Sequence, residues 1–366
     1  MLSKALFRTL LCLSVLGMIA CGGEKKKTKD NQQSDRSYLP KAAGEPNAIL
    51  VVMDTTLWDG PIGDALKDIY GAYVPGLPQD EPYFKIRNVN PLKFSSILQR
   101  ATNLIMITTL DAKGRMSRKM REYFTDESLK AIYSDTSRFL IRKRNVYAND
   151  QEILHLFGKD EAQVVKQLRA NKEMLRSYFI NAERERMANG LFKVREKGIE
   201  NKMESDYKFR FSVPYGYDLS KSLPDFFWIR QLDAEFEKNV FVYFKPFDSM
   251  GPFEDMMSFR EEITSTYMRD IQKPDIYMTS QEADYSSLIK EVSFNGKYAK
   301  ECRGLWKLSD ISGGGPFVSY LFVDESQKRI YYLEGYVYAP GEDKRVFMQE
   351  MELILKSFKS GKDLVP

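Results

Sequence analysis

The chain has 366 residues, a hydrophobic content of 43% and a formal net charge of +4, from 55 basic and 51 acidic side chains. It is long and apolar enough for about two domains with buried cores, and its near-balanced charge argues against nucleic acid as a partner. Its single histidine, His155, excludes a zinc site with two histidine ligands, so we expect neither a metal nor a cofactor.

The N-terminal segment has the pattern of an export signal. Lys4 and Arg8 form a basic start, and an apolar run follows that is shorter than the ~20 residues needed to span a bilayer. The run ends at Ala20 and Cys21, the small residue and the cysteine of a lipoprotein cleavage site. We therefore predict a signal peptide over residues 1–20, cleavage between Ala20 and Cys21, and lipidation of Cys21 with acyl chains such as palmitate. A plain secretory signal with an incidental cysteine is the alternative.

The residues after the cysteine are polar and show no periodicity, which predicts a lipidated flexible tether over residues 21–47. Several acyl chains at ~0.8 kcal/mol per buried CH₂ would hold the protein stably on a membrane. Acidic residues that sort some lipoproteins to the cell surface do not directly follow Cys21. We therefore expect the periplasmic face of the bacterial outer membrane.

Strand-like and helix-like segments alternate in the first half of the chain. Apolar runs at 48–53 and 103–110 predict buried strands, and the segments 61–70 and 116–133 have helical periodicity. This alternation predicts an N-terminal α/β-type domain with a mixed sheet over residues 48–158. Asp160 then has the position of an N-cap, and residues 159–203 predict a long helix that links two domains.

The second half predicts an antiparallel sheet with packed helices over residues 204–366. Its clearest feature is a hairpin, in which the runs 317–323 and 329–338 are joined by polar residues. Amphipathic segments at 253–271 and 346–358 predict two helices. The expected fold class of the whole chain is therefore α+β.

Several short blocks carry a resemblance to a known family. They are Leu57-Trp58-Asp59-Gly60, Pro75-Gly76-Leu77-Pro78-Gln79, Glu81-Pro82, Arg303-Gly304-Leu305-Trp306, Gly314-Gly315-Pro316-Phe317, Glu334-Gly335, Tyr338-Ala339-Pro340 and Lys344-Arg345. In these blocks the chain resembles an uncharacterised lipoprotein family of Bacteroidetes-type bacteria, described as a domain of unknown function. The resemblance implies a lipid-anchored envelope protein and implies no activity. The element order of the C-terminal domain is also similar to the PsbP/Mog1-like fold.

The tryptophans and nearby charged residues supply the candidate binding surface. Trp58, Trp228 and Trp306 each stand beside a charged residue or a glycine, and aromatic side chains with arginine are typical of binding surfaces. Packing at sheet edges would explain the same pattern. The residues that we predict for a binding surface are Trp58, Glu81, Arg303, Trp306 and Glu334.

Motifs for catalysis are weak. Asp54 ends a buried strand, where α/β enzymes often place a carboxylate, but a helix cap explains it better. The glycines at 313–315 precede a strand and lack the Lys-Ser/Thr of a phosphate loop, so they predict a turn. Apolar neighbours predict a structural role for His155.

Two functions therefore remain as hypotheses. The first is a non-catalytic binding or scaffolding lipoprotein whose partner is an envelope protein or a small ligand. The alternative is a hydrolase or transferase that acts on a cell-envelope sugar or lipid through carboxylates such as Asp54, Glu81 or Glu334. A cleft that holds two acids would favour the enzyme, and an aromatic face would favour the binding protein.

Overall fold

The computed structural model describes residues 39–270, 272–281 and 286–364. The predicted signal peptide, Ala20, Cys21 and tether residues 21–38 lie outside the described residues, whereas residues from Leu39 onward belong to one compact unit. The last part of the predicted tether is held by the fold, because Ala42 donates to Asn149 O and Ala43 donates to Arg100 O, each at 2.9 Å. Residues before position 48, the predicted start of the N-terminal domain, thus also contact the fold. Within the described ranges, no helix is long and apolar enough to cross a membrane.

The first sheet combines parallel strands with one antiparallel edge. Its strands are β1 (Ala48–Val52), β2 (Lys85–Val89), β3 (Asn103–Thr109), β4 (Leu140–Arg144) and β5 (Glu152–Gly158). They lie in the order β2-β1-β3-β5-β4, and only the pairing of β4 with β5 is antiparallel. Every residue of β3 and β5 is buried, as expected for strands covered on both faces. The predicted mixed sheet is confirmed.

Helices cover both faces of this sheet. They are α1 (Thr55–Trp58), α2 (Pro61–Tyr70), α3 (Ser96–Gln99), α4 (Arg115–Arg121), α5 (Asp126–Ser134), α6 (Glu161–Ala170) and α7 (Lys172–Leu191). Apolar side chains of α2, α6 and α7 pack into one core with β1, β3 and β5. Met120 of α4 packs into a smaller core on the opposite face. The first sheet is therefore the middle of three layers.

The predicted linking helix is interrupted. Within residues 159–203, all of which the structure describes, the chain forms α6, α7 and a third helix, α8 (Lys197–Lys202). The first break is at Asn171, whose side-chain amide donates to Gln167 O and whose φ of −113° is not helical. Furthermore, α7 does not bridge solvent, because Leu175 and Phe179 are buried in the core of the first sheet. The predicted domain boundaries stay predictions.

The second sheet is antiparallel throughout. Its strands are β7 (Asp218–Ser222), β8 (Phe226–Leu232), β9 (Glu237–Pro246), β10 (Met278–Ser280), β11 (Leu288–Phe294), β12 (Lys297–Leu308), β13 (Gly314–Asp324) and β14 (Arg329–Tyr338). The order is β10-β12-β13-β14-β9-β8-β7, with β11 also paired to β12. Two short strands, β6 (Phe209–Arg210) and β15 (Lys359–Ser360), pair with each other. The predicted hairpin is confirmed as β13 and β14.

A helix packs on each face of the second sheet. The helices that follow β9 and β14 are α9 (Gly251–Glu254), α10 (Met256–Tyr267) and α11 (Arg345–Lys356). Tyr332 and Tyr336 of β14 face the core that contains α10, whereas Leu333 and Val337 face the core that contains α11. This alternation follows from the two-residue period of a strand. The predicted α+β fold is confirmed.

Candidate functional site

A cleft of about 350 Å³ opens on the face of the second sheet that carries α10. Trp228 of β8, Trp306 of β12, and Tyr336 and Tyr338 of β14 line it. We call this site the aromatic cleft. Two of the three tryptophans of the chain are in its lining. Because alternate strands of one sheet supply the rings, the sheet register fixes their relative positions.

The two indoles of the aromatic cleft are anchored by their ring nitrogens. Trp306 Nε1 donates to Val337 O at 3.2 Å, and Trp228 Nε1 donates to Asn239 Oδ1 at 2.9 Å. The rings of Trp306 and Tyr336 meet edge to face, with centroids 5.2 Å apart. Both N–H donors already have internal partners, and Trp306 is only 5% exposed, so the indole surface that a ligand can reach comes mainly from half-buried Trp228.

The glycine run beside Trp306 makes this close packing feasible. A Cβ on Gly315 would lie 2.0 Å from Val337 O and 3.3 Å from Trp306 Nε1. Gly314 and Gly315 both belong to β13, so the expectation of a turn over residues 313–315 needs correction. The bend precedes them, and the missing side chains let neighbouring backbones approach each other.

Both signs of charge occur at the rim of the aromatic cleft. Glu237 accepts a hydrogen bond from Asn239 Nδ2 at 3.1 Å. Arg269 lies over the Tyr277 ring, 5.4 Å from its centroid. Asp270 Oδ1 accepts from the backbone N–H groups of the next turn at 2.7 and 2.8 Å. The rim can therefore donate and accept hydrogen bonds.

Glu334, predicted for the binding surface, is instead fully buried against Arg260 of α10. Arg260 Nε and Nη2 donate to its two carboxylate oxygens at 2.8 and 2.7 Å, and Tyr332 donates to it at 2.6 Å. Burial alone would lower the pKa of Arg260, but the Glu334 charge outweighs it and raises that pKa. The pair touches the cleft only indirectly, because Arg260 also contacts the sulfur of Met278, a lining residue.

Glu81 caps a helix of the other sheet. Its carboxylate accepts the backbone N–H of Lys344 at 2.6 Å and that of Arg345 at 3.0 Å, at the first turn of α11. A carboxylate at this position satisfies free amides and complements the helix dipole. The side chain is buried, which fits a structural cap and not an exposed binding residue.

Arg303 belongs to a chain of ion pairs that we call the charged junction, formed by Arg184, Glu301, Arg303 and Glu352. Arg303 donates to Glu301 at 2.8 Å and to Glu352 at 2.7 Å, and Arg184 donates to Glu352 at 2.7 Å. The four residues border a cavity of about 270 Å³. Burial raises the pKa of Glu352, but Arg303 and Arg184 outweigh it and leave a pKa of about 2.

The five predicted binding residues do not form one surface. Trp306 lines the aromatic cleft, and Glu334 is buried beneath α10. Arg303 faces the opposite core in the charged junction, and Glu81 caps α11. Trp58 packs at the first sheet, with Lys67 Nζ 5.3 Å from its ring centroid.

Sequence reasoning missed the tyrosines of the aromatic cleft. Tyr336 and Tyr338 follow Glu334 at intervals of two on one strand, and this period places all three on one face. That signal was present in the sequence. No local pattern distinguishes Arg260, because its partner is 74 residues away.

Two residues weighed for catalysis have structural roles. Asp54 accepts from the backbone N–H of Thr56 at 3.1 Å and from Ser117 Oγ at 2.9 Å, which confirms the helix cap at α1. His155 lies against the rings of Tyr123 and Phe124. Burial, with a smaller effect of Lys143, lowers the pKa of His155 to about 4. Among the described residues, no group of histidine, cysteine and acidic side chains could hold a metal ion.

Comparison with known families gives matches in both halves of the chain. Residues 42–192 match a family model described as a domain of unknown function (DUF8532), and residues 196–357 match another (DUF4837). The matches support an uncharacterised family. A search of curated protein sequences gives no match.

Solved structures that match part of this chain share little sequence with it. A Mog1 mutant has a TM-score of 0.29 and 9% identity, over 43% of this chain and 93% of that one. Mog1p, a Ran-binding protein of Saccharomyces cerevisiae, has a TM-score of 0.29 and 9% identity, over 42% of this chain and 90% of that one. LpqN, involved in cell envelope biogenesis of Mycobacterium tuberculosis, has a TM-score of 0.27 and 11% identity, over 41% of this chain and 82% of that one. The fold assignment itself rests on the two sheets described above.

Proposed function

We propose that this chain is a lipid-anchored envelope protein that binds a ligand in the aromatic cleft without catalysing a reaction. The observation that carries the proposal is the convergence of Trp228, Trp306, Tyr336 and Tyr338 on one cleft. Clefts of a few hundred Å³ with aromatic walls and a few polar groups are typical ligand sites. The ligand is a small molecule or an exposed part of an envelope protein.

The arrangement of the acids also supports a binding role. Asp54 caps α1, Glu81 caps α11 and Glu334 is paired with Arg260. Each carboxylate is thus engaged by structural partners in a different part of the fold. A carboxylate pair that performs acid–base catalysis must face one substrate.

The anchor part of the proposal rests on Ala20 and Cys21 in the sequence. Lipidation at Cys21 would hold the folded unit on the membrane, and we propose the periplasmic face of the outer membrane. The test is Cys21→Ser, which should move the protein from the membrane pellet to the soluble fraction and abolish incorporation of labelled palmitate. Cys12→Ser is the matched control and should remain in the pellet. Sedimentation of the Cys21→Ser protein with the membranes would contradict the anchor.

The cleft can be tested with its own tryptophans. In the Cys21→Ser chain, Trp58→Phe leaves two tryptophans, both of which line the aromatic cleft. The neutral dye N-phenyl-1-naphthylamine should quench their fluorescence, and Tyr338→Ala should weaken its binding. Tyr73→Ala removes a tyrosine that is 59% exposed and lies outside the cleft, and should leave dye binding unchanged. Equal dye binding by the two variants would contradict the proposed site.

A carboxylate-dependent hydrolase or transferase is the second candidate, because Glu237 and Asp270 both lie at the rim of the aromatic cleft. Incubation with purified envelope glycans and lipids, followed by mass spectrometry, separates the two functions. A product formed by the Cys21→Ser chain and lost in Glu237→Gln would favour the enzyme. Unchanged material with retained binding would favour the binding protein.

A further inference from the structure

We infer that the aromatic cleft takes a neutral saccharide, with the apolar ring face of the sugar on the aromatic walls and its hydroxyls at the charged rim. This inference rests on the proposed function, because it names the chemical class of that ligand. It follows from the surface of the walls, the balance of charge around them and the size of the cleft.

The walls suit a ring with one apolar face. Trp228 and Trp306 donate their N–H groups to Asn239 and Val337, so neither indole offers a donor to a ligand. Trp306 is 5% exposed, so the aromatic surface that a sugar can reach comes from half-buried Trp228 and Tyr338. The C–H groups on one face of a pyranose carry a small positive charge and are attracted to the negative face of an aromatic ring. Saccharide hydroxyls project from the edge of the ring, and here they would meet the rim.

The charges around the cleft disfavour a charged ligand. Lys221 and Arg230 lie 5.9 and 5.8 Å from the centroid of the Trp228 ring. Among the charged residues that line the cleft, Arg269 is positive and Glu237 and Asp270 are negative, so their sum is 1 − 2 = −1; Lys221 and Arg230 are neighbours of Trp228 and not lining residues. An anion would approach the two carboxylates, and a cation would approach Arg269. A neutral ligand avoids both repulsions.

A purely apolar ligand is disfavoured by the same rim. An acyl chain or an apolar side chain would cover Glu237 and Arg269 without giving them hydrogen-bond partners. A polar group that is buried without a hydrogen-bond partner lowers the affinity of the ligand that buries it. Hydroxyl groups can donate to the carboxylates, accept from the guanidinium and exchange hydrogen bonds with Ser312, another lining residue.

The size of the cleft matches a small glycan. Its volume of about 350 Å³ is near the lower end of the ~300–1,000 Å³ range of small-molecule sites. This volume is too small for a peptide helix, whose diameter with side chains is about 10–12 Å. We therefore expect the cleft to hold one or two sugar units of a longer glycan.

The test applies the Cys21→Ser, Trp58→Phe chain to a printed array of neutral, acidic and amino-sugar glycans, and then titrates the best neutral glycan by tryptophan fluorescence. Neutral glycans should bind at least tenfold more tightly than their charged counterparts. Tyr338→Ala and Arg269→Ala should each weaken binding about tenfold, as expected for one stacking contact and one charged hydrogen bond. Tyr73→Ala, outside the cleft, should bind like the parent.

The remaining outcomes distinguish a failure of the saccharide assignment from a failure of the proposed binding function. Dye binding that depends on Tyr338, without binding of any neutral glycan, would overturn the saccharide assignment and leave the proposed function standing. Charged glycans that bind as tightly as neutral ones would overturn it as well. Absence of both dye and glycan binding would overturn the proposed function together with this inference.

Discussion

Arg260 and Glu334 are joined by two hydrogen bonds of 2.8 and 2.7 Å, and both side chains are fully shielded from solvent. Removal of one partner from such a pair leaves an uncompensated buried charge, which costs about 3–5 kcal/mol. Glu334→Gln should therefore lower the free energy of unfolding by about this amount, as measured by urea denaturation.

An exposed pair provides the control for this prediction. Arg210 donates to Glu204 at 2.8 Å, and their side chains are 38% and 41% exposed. Glu204→Gln should cost about 0–1 kcal/mol, because solvent screens the pair. Equal losses for Glu204→Gln and Glu334→Gln would show that burial does not decide the strength of these pairs.

The carboxylate of Glu81 should matter locally for α11. Glu81→Ala removes the acceptor for the amides of Lys344 and Arg345, and should destabilise the protein by about 1–2 kcal/mol. Hydrogen exchange of these two amides should become faster. Asp80→Ala, at an exposed neighbouring position, should leave both the exchange and the stability unchanged. Protection of the two amides in Glu81→Ala would contradict the cap.

Acid should weaken the charged junction over a defined pH range. The pKa of Glu352 is lowered from 4.5 to about 2, so this group stabilises the folded state above pH 4.5 and loses that contribution as the pH falls through 2. A shift of this size corresponds to about 3 kcal/mol. Glu352→Gln should thus be less stable than the parent at pH 7, with a difference that shrinks between pH 4.5 and 2. A constant difference over this range would contradict the assignment.

The close contact at Gly315 makes a substitution there informative. In Gly315→Ala the new methyl group would meet Val337 O, so β13 must shift and the packing of Trp306 must change. We expect a loss of about 1–3 kcal/mol and an altered fluorescence spectrum in the Trp58→Phe background. Gly190→Ala is the control, because its Cβ meets nothing within 4 Å on α7, and it should stabilise the protein by about 0.5–1 kcal/mol. An unchanged spectrum in Gly315→Ala would contradict the role of this glycine.

Elements defined by local periodicity were predictable from the sequence. The continuous apolar run of β3 and the apolar pattern of the β13–β14 hairpin each predict a buried strand from local sequence alone. Asp160 was also predictable as a helix cap, because the N-cap preference acts within three residues, and its side chain accepts from Gln163 N. The end of α6 is harder to predict, because the break at Asn171 depends on a side-chain hydrogen bond that competes with the backbone.

The candidate site was only partly predictable, because its contacts join distant parts of the chain. Trp306 was selected for its neighbours in sequence, but Trp228 joins it in the aromatic cleft through the order of the intervening strands. The partners of Glu334 and Glu81 are 74 and 263 residues away. A charged side chain without a known partner is expected to be exposed, so the sequence alone predicts both acids at a surface.

The cap on α11 has a consequence for the order in which the protein assembles. Lys344, at the start of the helix, follows Glu81 by 263 residues, so a chain delivered N-terminus first presents the acceptor long before its donors. Contacts across such a separation form late in folding, because the intervening chain must first be ordered. The capping of α11 therefore requires both halves of the chain to be in place, whereas the packing of α11 on β14 is local. A protease that acts before the cap has formed would find the start of this helix unprotected. Cleavage near Lys344 should therefore mark molecules in which Glu81 does not yet contact α11.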